Sequence, residues 1–339
     1  MNDGPYAVYG ASGVIGSMSE YQNDVPYVAV VKDGAGVGRA NACDAKTSVL
    51  GTLQALIPKS NVERDYLLHL VRSLQLGKGF SGSTIPHIYF KDYGKLEVPL
   101  PSVADQKQVM RQFGAIERQI AQAQSQIKML DQLVKSRFVE MFGDPATADA
   151  KQELAAIGSF TDVQTGATPL RKEPKYYGGS IPWVKTGEVA RNFANGVEEN
   201  ITDIAIKETN CKVFPVGTVL VAMYGQGDTR GKAAILPFEA ATNQACAAIL
   251  PSESHDEVFL NAQLQLLYED MRAKSLGGNQ KNLSLGIIKS MRVLLPPMAM
   301  QQEFTDFAAQ VDKSRFVAQQ QIEKLRMLYD SLAQDYFGD

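Results

Sequence analysis

Two carboxylates and a lysine near the middle of the chain have the residue types of a metal-dependent nuclease. Asp162 is followed by Glu173 and then by Lys175. In such enzymes carboxylates hold Mg²⁺, the metal activates a water molecule for attack on phosphate, and a lysine supports that water. This loose spacing is common by chance, so a stand-alone Mg²⁺-dependent nuclease is an alternative hypothesis and not the preferred one.

A glycine-rich segment, Gly34-Ala-Gly36-Val-Gly38, follows a candidate strand and resembles a dinucleotide-binding loop at first sight. That fingerprint requires G-x-G-x-x-G at the start of a helix, with an acidic residue about 20 residues later. Here the third glycine comes one residue early, and the following residues, RANACDAKTS, do not begin a helix. We therefore predict a tight turn at this segment.

Cysteine and histidine give no sign of a metal centre. Cys43, Cys211 and Cys246 are far apart and form no C-x-x-C pair, so neither a zinc site nor a disulfide framework is indicated. The histidines are isolated from one another, which is typical of surface positions or of hydrogen-bonded core positions. The sequence therefore predicts no metal ligand.

Three loops in the second half of the chain combine glycine with cationic, amide and hydroxyl side chains. They span 165–177, 224–232 and 278–282, and the single tryptophan, Trp183, follows the first of them beside Lys185. Cations and hydroxyls contact phosphate, whereas arginine and amide side chains read base edges. A solvated loop above a buried tryptophan is the alternative for any one loop. Three such loops in one globule favour DNA binding for the set.

The element around which these loops are organised is a heptad-like stretch at 104–144. Apolar or small residues recur there in alternating steps of four and three, interrupted only at Arg137. This spacing predicts one long helix that packs against another helix, with Gly143 as its end. The predicted seam consists of Val109, Phe113, Ile116, Ile120, Ala123, Ile127, Leu130, Val134 and Met141.

This stretch occurs twice in the chain. The segment LEVPLP at 96–101 reappears as MRVLLP at 291–296, an offset of 291 − 96 = 195, and the offset holds without a gap through the FGD that ends both copies. The repeat predicts the order globule, long helix, globule, long helix. Interrupted at Arg315, the second seam consists of Phe304, Ala308, Val311, Ala318, Ile322, Leu325, Tyr329, Leu332 and Tyr336.

Strands and short helices alternate in both globules, so the predicted class is α/β (α+β) with two globular domains and two long antiparallel coiled-coil helices. The predicted strands include 96–100, and 259–275 is predicted as one helix. No sequence before the first residue matches 153–191, so the first globule is predicted to be shorter at its front. The predicted boundaries are 1–103 for the first domain, 104–144 for the central helix, 145–152 for a linker, 153–298 for the second domain and 299–339 for the last helix.

The composition and net charge limit the classes of function that the chain could have. The 339 residues carry a net charge of −3, with 45% hydrophobic and 21% charged residues, as in a globular protein. The charge argues against strong electrostatic binding of nucleic acid by this chain alone, although local patches matter more than the total. We find no signal peptide and no apolar run of about 20 residues, and we expect a cytoplasmic protein.

The chain resembles the specificity subunit of type I restriction–modification systems. The resemblance covers nearly the whole chain and is carried by TGATP at 165–169, YYGGSIPWVKTGEV at 176–189, VLLPP-x-x-x-QQ at 293–302 and the repeated helix with its FGD ending. The first domain lacks the TGxTP motif of the second. The resemblance implies DNA contacts by Thr168, Arg171, Lys172, Lys185, Gln226, Arg230, Asn279, Gln280 and Lys281.

The family implies a non-catalytic subunit in which two target-recognition domains each read one half of a bipartite site in double-stranded DNA. The two helices then act as a spacer and dock two methyltransferase subunits, which recruit restriction subunits. S-adenosylmethionine, ATP and Mg²⁺ belong to those partners, so no cofactor is expected here. A helix over 104–142 is roughly 57 Å long at 1.5 Å per residue, more than the about 34 Å of one DNA turn. A coiled-coil scaffold without a DNA role is a further alternative.

Overall fold

The structure, a computed structural model, describes residues 4–79, 85–147, 153–274 and 282–338. The chain divides into two compact units. Unit 1 comprises Met1–Gln126 with Val317–Asp339, and unit 2 comprises Ile127–Phe316. Each unit therefore combines a globular stretch with parts of both long helices. None of the helices in the described ranges is both long and apolar enough to cross a membrane.

Unit 1 contains two three-stranded sheets. The sheet orders are β2-β1-β5 and β4-β3-β6. The central strand β3 is buried at all five positions, as its uninterrupted apolar sequence predicts. The elements in chain order are β1 (Tyr6–Gly10), β2 (Gly13–Met18), β3 (Tyr27–Val31), β4 (Ala40–Cys43), β5 (Ser48–Val49), β6 (Leu53–Leu56), α1 (Arg64–Ser73), α2 (Phe90–Tyr93) and α3 (Val103–Phe142).

The tight turn predicted for the first glycine segment is confirmed. Gly34, Gly36 and Gly38 all have positive φ, at 90°, 133° and 84°, a region that only glycine enters without strain. A Cβ atom on Gly38 would lie 2.2 Å from the backbone nitrogen of Gly77. The segment leads into strand β4 and not into a helix, so the dinucleotide-loop alternative has no structural support.

Unit 2 contains two four-stranded sheets, in the orders β10-β9-β14-β11 and β13-β12-β15-β8, and a two-stranded ladder of β16 and β7. Its elements are β7 (Leu154–Ala156), α4 (Ile157–Phe160), β8 (Val163–Thr165), β9 (Tyr177–Val184), α5 (Thr186–Ala190), β10 (Asn200–Ile201), α6 (Asp203–Glu208), β11 (Val213–Phe214), β12 (Val219–Ala222), β13 (Ala233–Ile235), β14 (Ala240–Thr242), β15 (Cys246–Ile249), α7 (Glu257–Leu266), α8 (Tyr268–Lys274), α9 (Leu285–Ser290), β16 (Arg292–Leu294) and α10 (Met298–Phe337).

Two local predictions are wrong. The single helix predicted at 259–275 is two helices, α7 and α8, because the helical backbone is interrupted at Leu267. The strand predicted at 96–100 pairs with no strand among the described residues, although its repeat copy is β16. Alternating apolar residues indicate a strand only where a second strand is available to pair with it.

Each residue of the seam predicted for the long helices is buried or partly buried. Within unit 1 the start of α3 packs against the end of α10, with ring centroids of Phe113 and Tyr329 4.8 Å apart. Within unit 2 the end of α3 packs against the start of α10, with Phe138 and Phe304 at 5.3 Å. In both units the two helices therefore run antiparallel.

The first seam departs from a strict heptad near its end. Phe138 is fully buried, whereas Arg137 in the heptad position is partly exposed and pairs with Glu303 at 3.1 Å. A straight helix has 3.6 residues per turn, so its buried face drifts from a 3.5-residue repeat. Arg315, which interrupts the second seam, likewise bonds Asp131 at 2.6 Å. The two arginines that interrupt the seams, Arg137 and Arg315, therefore both form ion pairs within unit 2.

A fully buried glutamine fixes the start of each long helix to its own globule. Gln106 accepts a hydrogen bond from the Glu63 backbone N–H at 2.8 Å and donates to the carbonyls of Asn61 and Pro101. Its repeat copy Gln301 accepts from the Asp256 N–H at 2.9 Å and donates to the carbonyls of Ser254 and Pro296. Glu63 and Asp256 are the N-cap residues of α1 and α7, so each amide links the beginnings of two helices.

Replacing Gln301 with Met should destabilise unit 2 by about 1–3 kcal/mol, because the buried Pro296 carbonyl and two part-buried backbone groups lose their partner, and a buried unsatisfied group costs about 1–3 kcal/mol. Urea unfolding followed by the fluorescence of Trp183, the only tryptophan, measures the change. Gln302→Met is the matched control, since that side chain is exposed. Equal unfolding of the two variants would contradict the linking role of Gln301.

Candidate nucleic-acid interface

The loop that opens the second domain is shaped by a glycine and a tryptophan. A Cβ atom on Gly166 would lie 1.8 Å from the Thr242 carbonyl oxygen, so only glycine lets the loop cross β14 this closely. The carbonyl of Ala167 accepts a hydrogen bond from the Trp183 indole N–H at 3.0 Å and from the Cys211 thiol at 3.3 Å. Trp183 is buried in β9, so the loop is anchored directly to the core.

Arg171 lies between two rings and a carboxylate. Its guanidinium carbon is 4.8 Å from the Tyr177 ring centroid and 4.9 Å from that of Trp183. Its two terminal nitrogens donate to the two oxygens of Glu199 at 2.7 and 3.0 Å. A bidentate, stacked arginine is held in one orientation. In this structure Arg171 therefore positions the loop, and Glu199 accepts from two of the five N–H donors of its guanidinium.

Lys185 shares the same carboxylate. Its ammonium lies 3.3 Å from Glu199 and 3.1 Å from Glu198, which also bonds Arg191 at 3.1 Å. The hydrogen bond from Arg171 is the largest cause that lowers the pKa of Glu199, to about 2, and Lys185 adds to it. Burial lowers the pKa of Lys185, but the hydrogen bonds to Glu198 and Glu199 outweigh it and the net shift is upward. These cations and carboxylates stay charged around neutral pH.

The remaining candidates of the first loop are exposed. Thr168 is exposed. Its hydroxyl donates a hydrogen bond to the side-chain carbonyl of Gln244, which fixes the orientation of the hydroxyl. Lys172 is exposed and makes no ion pair with any residue that the structure describes. Of the predicted cations here, Lys172 is the one whose charge is open to a phosphate.

A second loop, 224–232, is held by side chains of α8. Arg272 donates to the carbonyls of Gly227 and Arg230 at 3.0 and 3.2 Å, and the Tyr268 hydroxyl donates to that of Asp228 at 2.7 Å. Gln226, a predicted DNA contact, is an exposed residue of this loop. Because these contacts use backbone carbonyls, the loop can keep its shape while its side chains vary.

The structure thus brings some of the predicted contacts together and leaves others apart. Arg171 and Lys185 meet at Glu199, with Thr168 on the same loop as Arg171, whereas Gln226 and Arg230 lie on the second loop. Asn279, Gln280 and Lys281 lie outside the described residues. The prediction did not include the carboxylates Glu198 and Glu199, which are adjacent in sequence but whose pairing depends on strand β10 lying beside β9.

The geometry offers no metal centre in the described part of the chain, where no group of three or more His, Cys, Asp or Glu side chains could hold an ion. Of the residues in the nuclease alternative, Lys175 is paired with Glu208, and Asp162 accepts a hydrogen bond from Gln164 at 2.8 Å. All three cysteines are buried and free. What the arrangement does offer is a set of anchored polar loops that present hydrogen-bonding and cationic side chains.

Comparison with known proteins identifies the family of the chain. The family model described as "Type I restriction modification DNA specificity domain" matches residues 2–130 and 151–326, so both repeats are covered. The chain belongs to this family of type I restriction enzyme specificity subunits.

Individual relatives are distant. The chain is 25% identical over 192 residues to the "Type I restriction enzyme MjaIX specificity subunit" of Methanocaldococcus jannaschii, covering 55% of this chain and 44% of the relative. It is 19% identical over 237 residues to the EcoR124I/EcoR124II specificity subunit of Escherichia coli, covering 66% and 57%. The chain spans about half the length of these two curated relatives.

Solved structures show the same fold. The type I system S subunit from M. genitalium matches with a TM-score of 0.57 at 16% identity, over 100% of this chain and 90% of that one. A structure described as showing complex assembly and conformational transition of the type I R-M system matches with a TM-score of 0.62 at 15% identity, over 94% and 82%. These matches confirm the predicted class of mixed domains with long helices.

Arg171→Lys should lower the free energy of unfolding of unit 2 by about 1 kcal/mol, since lysine cannot donate in the same bidentate way and stacks less well on the two rings. The estimate is small because the pair is about half exposed to solvent. Urea unfolding followed by Trp183 fluorescence checks it. Lys172→Ala, on the neighbouring exposed residue, should leave the midpoint unchanged, and an equal loss in both variants would refute the positioning role of Arg171.

Glu199→Gln should alter how unit 2 responds to acid. The pKa of Glu199 is lowered from 4.5 to about 2, so its contribution to stability is complete above about pH 4.5 and is lost as the pH falls towards 2. Unfolding midpoints measured across that window should therefore fall less steeply in the variant than in the parent chain. The exposed Glu239→Gln is the control, and an unchanged slope in Glu199→Gln would show that the ion pair contributes nothing.

Proposed function

We propose that this chain is the non-catalytic, DNA sequence-recognition subunit of a type I restriction–modification complex, and that its two domains each read half of a bipartite target. The observation that carries the proposal is the match of the DNA specificity family to both repeats. It is supported by the anchored polar loops of unit 2, which present Lys172 and Gln226 to solvent on a rigid base.

The residues of the loops divide between positioning and contact. Arg171 and Lys185 already have carboxylate partners, so they orient the loop around Trp183. Lys172 is suited to phosphate, and Gln226 to the edge of a base, because an amide donates and accepts at once. Thr168, Arg230, Asn279, Gln280 and Lys281 remain predicted contacts. The net charge of −3 then means that DNA is retained mainly when partner subunits add their own contacts.

Partner subunits would dock on the long helices. Large apolar side chains are exposed on their outer faces, among them Met129 at 64%, Phe316 at 59% and Met327 at 64%. Exposed apolar groups of this size are typical of surfaces that another protein covers. We assign them to methyltransferase subunits, which in turn recruit restriction subunits. S-adenosylmethionine, ATP and Mg²⁺ act in those partners, in a cytoplasmic complex.

A methylation map tests the proposal and the roles of the loops together. The chain is assembled with its methyltransferase partners and S-adenosylmethionine on a random DNA library, and the modified sites are sequenced. Lys172→Ala should weaken binding to all sites and lower the slope of log affinity against log salt by about 1. Gln226→Ala should instead relax the sequence requirement at one position of one half-site.

Lys207→Ala, on an exposed cation of α6 outside the loops and the long helices, is the matched control and should change neither readout. Identical maps and salt slopes for all the variants would exclude these loops from DNA contact. Unchanged function after alanine replaces Arg171, Lys172, Arg230 and Lys281 together would support the scaffold alternative. Mg²⁺-dependent cleavage by the purified chain, abolished by Glu173→Ala, would support the nuclease alternative.

A further inference from the structure

Unit 2 contains a cavity of 290 Å³ beside the loop 224–232. Its polar lining consists of two lysines, two amides and a phenol, contributed by Lys135, Lys232, Asn192, Gln265 and Tyr268. The other residues that line it are glycine, alanine and valine, so no carboxylate faces this cavity from the described part of the chain. A recess lined by charge of one sign attracts ligands of the opposite sign, so this cavity is suited to an anion.

The backbone and an aromatic ring hold Lys232 at the cavity. The preceding residue, Gly231, has a φ of 89°, and the backbone N–H of Lys232 donates to the Thr229 carbonyl at 3.1 Å. The ammonium of Lys232 lies 4.7 Å from the centroid of the Tyr268 ring. The Asp228 carboxylate is 4.0 Å from the same ammonium and 85% exposed. A contact that long in water contributes little, so Lys232 is positioned without being neutralised.

The second cation of the cavity, Lys135, comes from the long helix α3. It is exposed, and it makes no ion pair with any residue in the described ranges. Asp131, one helical turn earlier, is bound by Arg315 at 2.6 Å. In this respect Lys135 differs from Lys185, whose ammonium already has carboxylate partners. The cavity therefore combines two cations whose charge is available to a ligand.

Unit 1 has a cavity at the equivalent place. Five lining positions of the two cavities are related by one offset, 232 − 39 = 193: Gly38, Arg39, Ala40, Arg72 and Gln75 correspond to Gly231, Lys232, Ala233, Gln265 and Tyr268. The backbone agrees as well, because the Val31 N–H donates to the Arg39 carbonyl at 2.8 Å and the Ala222 N–H to the Lys232 carbonyl at 2.9 Å. A chance packing defect would not be expected to recur with a cation at the same position.

In unit 1 the second cation comes from the globule and not from α3. Arg72 of α1 stands where unit 2 has Gln265, and it donates to the Ala40 carbonyl at 3.3 and 3.2 Å. A guanidinium has five N–H donors, so these bonds do not exhaust it. Arg39 is exposed and forms no ion pair with the residues that the structure describes. Each unit thus has two cations at this cavity, although the second is supplied by different elements.

We propose that these cavities bind phosphate groups of the DNA backbone, through Lys135 and Lys232 in unit 2 and through Arg39 and Arg72 in unit 1. Lysine, arginine and amide side chains are the groups that contact phosphate in protein–DNA complexes. Gln226, the candidate base reader, lies on the same loop as Lys232, so a phosphate held there would fix the register of that loop on the duplex. The inference rests on the proposed function and adds α3 itself to the DNA contacts.

The test uses the complex with its methyltransferase subunits and a target duplex in which single phosphates are replaced by neutral methylphosphonates. Lys232→Gln should weaken binding roughly tenfold at 0.1 M salt, since one phosphate contact contributes about 0.9 to the slope of log affinity against log salt. The base preference should not change. At one phosphate the methylphosphonate should weaken the parent complex similarly but have no further effect on Lys232→Gln or Lys135→Gln. Arg39→Gln should show the same coupling in the other half-site.

Lys232→Arg, which introduces the residue type of Arg39, should keep the affinity, and Lys207→Gln on α6 is the uncoupled control. Additive effects of variant and methylphosphonate at every phosphate would overturn the proposal. Loss of methyltransferase association by Lys135→Gln in gel filtration without DNA would also overturn it, because the cation would then bind an acidic surface of a partner. A parent complex that selects no DNA sequence would overturn the proposed function too, whereas sequence selection without coupling would overturn only this inference.

Discussion

Each globule depends on apolar residues that the ends of the long helices contribute to its core. In unit 1 the Phe337 ring, two residues before the last residue, lies 5.1 Å from Tyr66 and 5.9 Å from Phe113. In unit 2 Phe142, at the end of α3, lies 5.0 Å from Phe259 of α7. Aromatic rings bury large apolar areas, so a substantial part of each core is non-local. Neither globule has a complete core without both long helices.

Periodic features can be predicted from the sequence, whereas contacts between residues far apart in the sequence cannot. The seam residues repeat at fixed spacing, and Gly143 ends the helix with a φ of 81°, as a glycine cap should. Phe138 was missed because it joins the seam to α7, a contact that no heptad contains. Arg171 was predicted as a DNA contact, and its ion pair with Glu199 was not predicted. Its role depends on Glu199, which is adjacent only after the strands β9 and β10 have paired.

The loops of unit 2 illustrate how a chain of slight negative charge can present cations to solvent. Glu198 and Glu199 form ion pairs with Arg171, Lys185 and Arg191, and the pair with Arg171 holds the first loop in place. Rigid loops lose little entropy on binding. The few cations left open, such as Lys172, are therefore carried on an anchored loop, and a ligand would meet their geometry more than a basic total charge.

The two copies of the repeat agree where their partners are present in both units and differ where a partner is present in only one. Gln106 and Gln301 make equivalent bonds because the helix start that each one links is repeated with it. Val98 and Val293 are chemically identical, yet only Val293 is buried, because β7 covers it. Burial at equivalent positions of the repeat is therefore set by the pairing partner and not by the residue type.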